Sequence, residues 1–303
     1  MKSRVLRKGL KTYLYLNRRI WDRLPDSLRL GFPGRVYGRH LHSVVCNHAE
    51  RNQNHSTFFL RNRPELQLMG RLLGEKAIAS TLELSVLACS KGAEVYSILW
   101  AIRSGRPDLR IHTNAIDISR SIVEFAERGI YSQKTADADT KDATWKDQPL
   151  SIFERLTSRE LEAMFEIDGT QAKIRPWLKE GITWSAADVS DPGLANQIAP
   201  QDIVVANRFL CHMEPIAAER CLRNIARIVK RGGLLFVSGV DLDVRTKVAR
   251  SSGWQPVEEM MREVHEGDVS LSNGWPLEWW GLEPFCRDLP DWNLRYASVF
   301  RIG

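Results

Sequence analysis

Residues 82–100 read Leu-Glu-Leu-Ser-Val-Leu-Ala-Cys-Ser-Lys-Gly-Ala-Glu-Val-Tyr-Ser-Ile-Leu-Trp, and the change of period inside this stretch decides the fold class. Leu82, Leu84, Val86 and Leu87 make an apolar run of strand length. The run stops at Ala88-Cys89-Ser90-Lys91-Gly92, where every residue but the lysine is small. Beyond it Val95, Ile98, Leu99 and Ile102 recur at helical spacing. Strand, small-residue turn and helix in that order open a doubly wound α/β fold, whose ligands sit outside the carboxyl ends of the strands, against helix amides. A pyrophosphate asks for several close backbone approaches, and after Ala88 this turn has one glycine, Gly92. NAD is therefore disfavoured, and an uncharged or zwitterionic nucleoside ligand is preferred. Arg110 to Asp117 reads as a second strand ending in an acid, the place from which such folds hold ribose hydroxyls. The competing reading of Asp117 is a helix cap, because Ser119 and Ser121 open a helical stretch.

The segment Ala88-Cys89-Ser90-Lys91-Gly92-Ala93-Glu94-Val95-Tyr96-Ser97 resembles the small-Cys-Ser-Thr-Gly-Glu-Glu-Pro-Tyr-Ser turn of CheR-type chemotaxis receptor methyltransferases. Further pieces follow in the same order: Ala115-Ile116-Asp117-Ile118-Ser119, Ala126-Glu127-Arg128-Gly129-Ile130-Tyr131, Met164-Phe165 with Lys173-Ile174-Arg175, Ile203 to Met213, and Lys230-Arg231-Gly232-Gly233-Leu234-Leu235. Coverage runs from about Ser56 to Val240, and its specificity comes from collinearity. The resemblance implies a class I methyltransferase fold: a Rossmann-like, mostly parallel seven-stranded sheet with helices on both faces. It also implies S-adenosyl-L-methionine (SAM) as cofactor, with methyl transfer to a carboxylate of a protein glutamate or a small acid. The rival from another class is a non-catalytic SAM-binding or scaffold protein.

The resemblance carries site roles residue by residue. Gly92 lets the backbone approach the methionine portion of SAM, within a turn that includes Ala88 and Cys89, and Glu94 accepts from the SAM amino group. A carboxylate in a helix's first turn is also favourable with the dipole alone. Asp117 and Ile118 stand at the second-strand end. Thr57-Phe58-Phe59-Leu60-Arg61 resembles the family's Thr-x-Phe-Phe-Arg, whose arginine holds the SAM carboxylate. Leu60 takes the arginine's place, so Arg61 or Arg63 is the candidate replacement, a guanidinium being well suited to a carboxylate. Asp188-Val189 replaces a family Asn-Leu pair, and an Asp there can accept from the adenine amino group; it is also a turn acid before Ser190-Asp191-Pro192-Gly193. At the fourth strand, Asn207-Arg208 stands where relatives have Arg-Asn, and His212 where they have the tyrosine beside the transferred methyl. Asn207, Arg208 and His212 thus form the expected catalytic mouth, with Asn207 also touching cofactor. His212 is either a general base or a lip residue positioning the acceptor.

Composition bounds the rest. At 303 residues and 43% hydrophobic the chain can bury a sizeable core, and no apolar run is long enough to span a bilayer. Five scattered cysteines without a Cys-x-x-Cys pair suggest free thiols in a reducing, cytoplasmic setting. Residues 1–40 hold eleven Lys or Arg against Asp22 and Asp26, a net +9; the whole chain carries +6, leaving the remainder at −3. Leu6, Leu10, Tyr13, Leu14, Ile20, Trp21 and Leu24 suggest one or two amphipathic helices there. Three roles compete for this head: an anionic-surface or nucleic-acid patch, a targeting peptide, and a docking helix with a solvated basic face.

His40 to His48 has three histidines and Cys46 but no second pair at finger spacing, so a loop is expected rather than zinc. Residues 1–50 are read as the basic helical segment and 51–303 as the methyltransferase domain, with a small inserted subdomain at about 132–180. Within the insert, 131–148 is a polar surface excursion, a helix starts at Ser158, and Phe165 to Ile174 alternates as a hairpin around Gly169. The resemblance implies that such a subdomain can bind a tethering peptide. A helix is expected over 217–229, a fifth strand over 234–240, and an antiparallel edge strand over 295–302. Trp275, Trp279, Trp280 and Trp292 read as a substrate wall, a dimer face or a packed cap over the sheet.

Overall fold

A computed structural model describes residues 4–49, 51, 57–133, 151–268, 271 and 274–303. The chain divides into two compact units, residues 1–52 with 268–289 and residues 53–267 with 290–303. In the first unit, α1 (Arg4–Arg23), the short α2 (Asp26–Leu30) and α3 (Phe32–His48) form the helical head. On α1 the face Leu10, Leu14, Asn17 and Trp21 turns inward at helical spacing, with Trp21 buried. Tyr37 of α3 donates to Asn17 Oδ1 at 2.5 Å, and its ring lies 6.0 Å from that of Trp21.

The head is not confined to the N-terminal segment. Residues 268–289, assigned from sequence to the methyltransferase domain, pack here. Trp275 meets Trp21 edge-on at 5.3 Å. A Cβ on Gly38 would lie 2.2 Å from the Trp275 indole, so only glycine admits this ring. Arg39 donates twice to Glu283 Oε1, at 2.9 and 2.8 Å, and Glu283 is 3% exposed. Trp279 and Trp280 pair at 5.4 Å, and the Arg51 guanidinium lies 5.8 Å from the Trp279 ring centroid. Trp275, Trp279 and Trp280 thus belong to the head unit. The expected loop at 40–48 is the second half of α3: Leu41 and Val45, one turn apart, are buried with Cys46, a pattern that the intervening histidines obscure.

The second unit opens with α4 (Arg63–Leu72), β1 (Thr81–Leu87) and α5 (Ala93–Gly105). There follow β2 (Arg110–Asp117), α6 (Arg120–Arg128), β3 (Ile130–Ser132), α7 (Ser158–Met164), β4 (Phe165–Asp168), β5 (Gln171–Ile174), α8 (Pro176–Lys179) and β6 (Ile182–Ala186). The chain then forms β7 (Gln201–Val205), α9 (Pro215–Ala226), β8 (Val229–Phe236), α10 (Leu242–Ser251), β9 (Gln255–Pro256), α11 (Met261–Glu266), α12 (Trp292–Tyr296) and β10 (Val299–Arg301). Seven strands order as β6-β2-β1-β7-β8-β10-β9. The first five run parallel, and β10 is antiparallel to both neighbours. Order reverses at β1, between β2 and β7, where doubly wound sheets bind ligands. Leu82, Leu84 and Val86 of β1 are fully buried, as are Val95 and Leu99 of α5. At the opposite end of the sheet, Asp202 gathers Lys76, Lys230 and the Glu83 amide at 3.2, 3.0 and 2.9 Å. Burial works against its charge, yet these donors hold its carboxyl below the usual range.

The insert forms its own antiparallel sheet, β3-β5-β4, with Asp168 opposite Gln171 across the Gly169-Thr170 turn. Gly169 supplies the left-handed φ of 58°. Helix α7 starts at Ser158 as expected, capped by Thr157: Thr157 Oγ1 accepts from the Glu160 amide, and Glu160 accepts in return from the Thr157 amide. Most of the expected excursion at 131–148 lies outside the described residues. The strand after the paired glycines begins earlier than expected, at Val229, with Gly232 and Gly233 inside it. The last strand is shorter than expected and does not lie at the edge, since β9 lies beyond it.

Candidate active site

The turn between β1 and α5 combines three left-handed residues, Ala88 (φ 53°), Ser90 (φ 49°) and Gly92 (φ 83°). Such strain in non-glycine residues costs on the order of 1 kcal/mol each and collects at functional sites. Here the surroundings enforce it. The Cys89 amide donates to Ile116 O at 2.9 Å, the Ser90 amide to Asp117 Oδ2 at 2.9 Å, and Tyr131 Oη to Lys91 O at 2.7 Å. A Cβ on Gly92 would come within 3.0 Å of Ala126 and 3.2 Å of Trp184 and Tyr96, so glycine is required by packing as well as by φ. Cys89 is 1% exposed. Burial, reinforced by the Asp117 charge, pushes its thiol far up, which removes it as a nucleophile.

Asp117 is 4% exposed at the carboxyl end of β2. Its two oxygens accept from the Ser90 and Ser119 amides, at 2.9 and 3.1 Å, and so tie the first two strand ends together. The residue that caps α6 is Ser119, whose hydroxyl pairs with that of Ser121 at 3.1 Å and makes no capping bond to the helix backbone. Each carboxylate oxygen keeps acceptor capacity beyond one amide. Ile118, beside it, is 56% exposed. Asp188 follows β6 and is exposed; it accepts from the Ser190 amide and hydroxyl at 2.8 and 2.7 Å, as a turn acid does. Val189 is buried against Cys221.

The centre of the site is a cluster that sequence reading caught only in part. Asn207, 6% exposed just past β7, donates through Nδ2 to Glu94 Oε1 at 2.9 Å and to Glu65 Oε1 at 2.8 Å. Its own Oδ1 accepts from Ser238 Oγ at 2.8 Å. One amide therefore holds two carboxylates, from the first turns of α4 and α5, side by side. Glu65 is 4% exposed and was missed: after the Asn62 cap and Pro64 it reads as an ordinary first-turn acid.

Leu60, at the family arginine's position, has φ 51° and is 1% exposed, with its amide bonded to Ser97 Oγ at 2.9 Å. The two candidate replacements are engaged elsewhere. The Arg61 guanidinium lies 5.3 Å from the Phe58 ring centroid, and Arg63 pairs with Glu160 at 2.5 Å. Thr57 is half-buried. Arg208 takes a left-handed φ of 63°, donates its amide to Ser238 O at 3.0 Å, and packs on Gly239, where a Cβ would meet it at 2.7 Å. His212, half-buried, ends a one-turn helix, Leu210–His212.

Residues 54–242 match the model of the CheR methyltransferase SAM-binding domain. The chain belongs to the CheR methyltransferase family. A CheR-family relative, the probable biofilm formation methyltransferase WspC of Pseudomonas aeruginosa, is 22% identical over 206 residues, which is 66% of this chain and 44% of WspC. An uncharacterized 104.1 kDa protein in the hypE 3′ region of Rhodobacter capsulatus is 28% identical over 197 residues, 61% of this chain and 18% of that protein. The chain thus spans less than half the length of either. Among solved structures, magnesium protoporphyrin IX methyltransferase from Synechocystis is 12% identical, with TM-score 0.36 over 73% of this chain and 88% of that one. So low a score carries no weight, and the fold rests on the strand order itself.

The cofactor of this CheR domain is SAM, and the donor set suits it. SAM is a cation overall, with a sulfonium and an ammonium against one carboxylate. Glu65 and Glu94 stand in the first turns of α4 and α5, and Asp117 and Asp188 at the carboxyl ends of β2 and β6. That concentration of negative charge favours a cationic nucleoside and opposes a pyrophosphate.

Proposed function

We propose that the protein is a SAM-dependent O-methyltransferase acting on a carboxylate, either a glutamate side chain of a protein or a small organic acid, in the cytoplasm. The observation that carries this reading is the Glu65–Asn207–Glu94 cluster set beside the Ala88–Gly92 turn in a CheR-family domain. When bound, SAM supplies an electrophilic methyl group on sulfur. The chain's own residues do the rest by alignment. Glu94, oriented by Asn207, faces the ammonium, and Asp117, already fastened to the turn, takes the ribose hydroxyls. Ile118 offers the adenine an apolar edge next to Asp188. Arg208 is the cation at the mouth suited to an acceptor carboxylate, and its backbone is fixed through Ser238 and Gly239.

A carboxylate acceptor needs no proton removed, so His212 acts here by positioning the acceptor and excluding water. Incubation with methyl-labelled SAM and a cell extract tests the reading. Base-labile label, as in methyl esters, is the expected product. Label in amines, or tight cofactor binding with no transfer to any fraction, refutes the carboxylate assignment or the enzymatic one respectively.

A further inference from the structure

The head unit carries an apolar surface that its own packing leaves outside. On α1, Leu16 and Ile20 are each 52% exposed, beside the inward face that ends at Trp21. On α3, Phe32 and Val36 are 77% and 51% exposed, one turn apart. Tyr13 and His40 join at 3.0 Å, and Tyr37 meets Asn17 at 2.5 Å, so α1 and α3 lie antiparallel. At helical spacing the Tyr13–Leu16–Ile20 line then runs alongside the His40–Val36–Phe32 line. The connecting α2 carries two further exposed leucines, Leu28 and Leu30, at 55% and 52%. Exposure repeated at helical spacing on two paired helices marks a contact surface rather than scattered surface leucines. Exposed Arg19 and Arg23 border the α1 line one turn apart, in a segment whose 1–40 stretch carries a net +9.

We infer that this face seats the head on an anionic lipid surface. The two chemistries on it are complementary to one partner in particular. A bilayer interface takes up aliphatic and aromatic side chains to a shallow depth while its headgroups attract Lys and Arg. A nucleic-acid backbone would satisfy the cations and leave the apolar line without a partner. No helix of the described residues is long and apolar enough to cross a membrane, and the contact inferred is in the plane of the interface.

Flotation of the full chain with vesicles tests this. Vesicles of phosphatidylcholine mixed with phosphatidylglycerol are expected to carry the protein at low salt and release it at high salt, and pure phosphatidylcholine to carry little. Arg19→Ala and Arg23→Ala should each weaken binding roughly fivefold. The double substitution Leu16→Ser with Phe32→Ser, which leaves every charge in place, should weaken it about tenfold. Both positions are more than half exposed, so the thermal melt should be unchanged; if it is not, Ile20→Ser with Val36→Ser repeats the measurement. Equal binding to neutral vesicles overturns the inference, as does indifference to the apolar substitutions. Binding to duplex DNA without binding to vesicles overturns it in favour of nucleic acid, and concentration-dependent dimerisation through this face, without vesicle binding, in favour of a second copy of the chain.

Discussion

Asn207→Leu removes the amide that holds two carboxylates together while roughly conserving side-chain volume. Nδ2 makes two bonds to charged acceptors, at 2.8 and 2.9 Å, and a hydrogen bond to a charged group contributes about 1.5–3 kcal/mol. Summed, the loss reaches about 3–6 kcal/mol, as an upper range because one amide serves both. Glu65, at 4% exposure, has little water to turn to, so much of that loss falls on folding stability. At about 2–4 °C per kcal/mol for a unit of this size, that ceiling corresponds to about 6–24 °C, and the melt should drop by several degrees.

The effect on cofactor is separable. Only the bond to Glu94 orients a proposed SAM ligand, so affinity should fall by about 1.5–3 kcal/mol, or roughly ten- to a hundredfold. Calorimetric titration with SAM and thermal melts measure both. A cycle with Glu65→Gln isolates the Glu65–Asn207 coupling. A variant that melts like the parent and binds SAM within twofold would show that the cluster neither holds the fold nor places Glu94.

Three further substitutions probe neighbouring parts. Asp117→Ala should weaken SAM binding by about ten- to a hundredfold by calorimetry, and unchanged affinity would leave Asp117 as an anchor for the turn and nothing more. His212→Phe should raise KM for a carboxylate acceptor with kcat largely kept, whereas a fall in kcat of about a hundredfold would indicate a base working on a hydroxyl or amine. Arg63→Ala tests the ion pair on α7: hydrogen bonding from Arg63 is the main reason the Glu160 carboxyl is held down from 4.5 to about 2. A carboxyl depressed in the folded state stabilises fully above its unfolded pKa and loses that contribution on acidification. The variant should therefore melt lower at pH 7, with the difference closing between about pH 4.5 and pH 2; a constant difference across that range would assign the loss to packing.

Local pattern carried far into this molecule where function and fold share one short stretch. The period change at 82–100 exposed β1, the turn and α5 because all three are contiguous in sequence. The hairpin around Gly169 was legible for the same reason. Reading failed where the deciding partner lies far along the chain. Glu65 looks like a helix-dipole acid until Asn207, 142 positions later, is found against it. Leu60 looks like a shifted motif until its burial beside Ser97 is seen. The tryptophans at 275–280 leave a substrate wall, a dimer face and a packed cap open until Gly38 is found to admit Trp275 within the head. In each case side-chain chemistry was visible and its destination was not.

The split composition of the head has a consequence for biosynthesis. Its helices are synthesised before the larger unit, but the stretch of chain that fills the Gly38 notch and answers Arg39 with Glu283 comes only after residues 53–267. At about 5–20 residues per second, the nascent head waits roughly ten to forty seconds with Trp21 and Arg39 lacking those partners. The larger unit has most of its own contacts to make in that interval, all but those of α12 and β10. Completion of the head is thus timed by the growth of the unit that interrupts it, and a prematurely ended chain advertises its defect through the same unfilled notch.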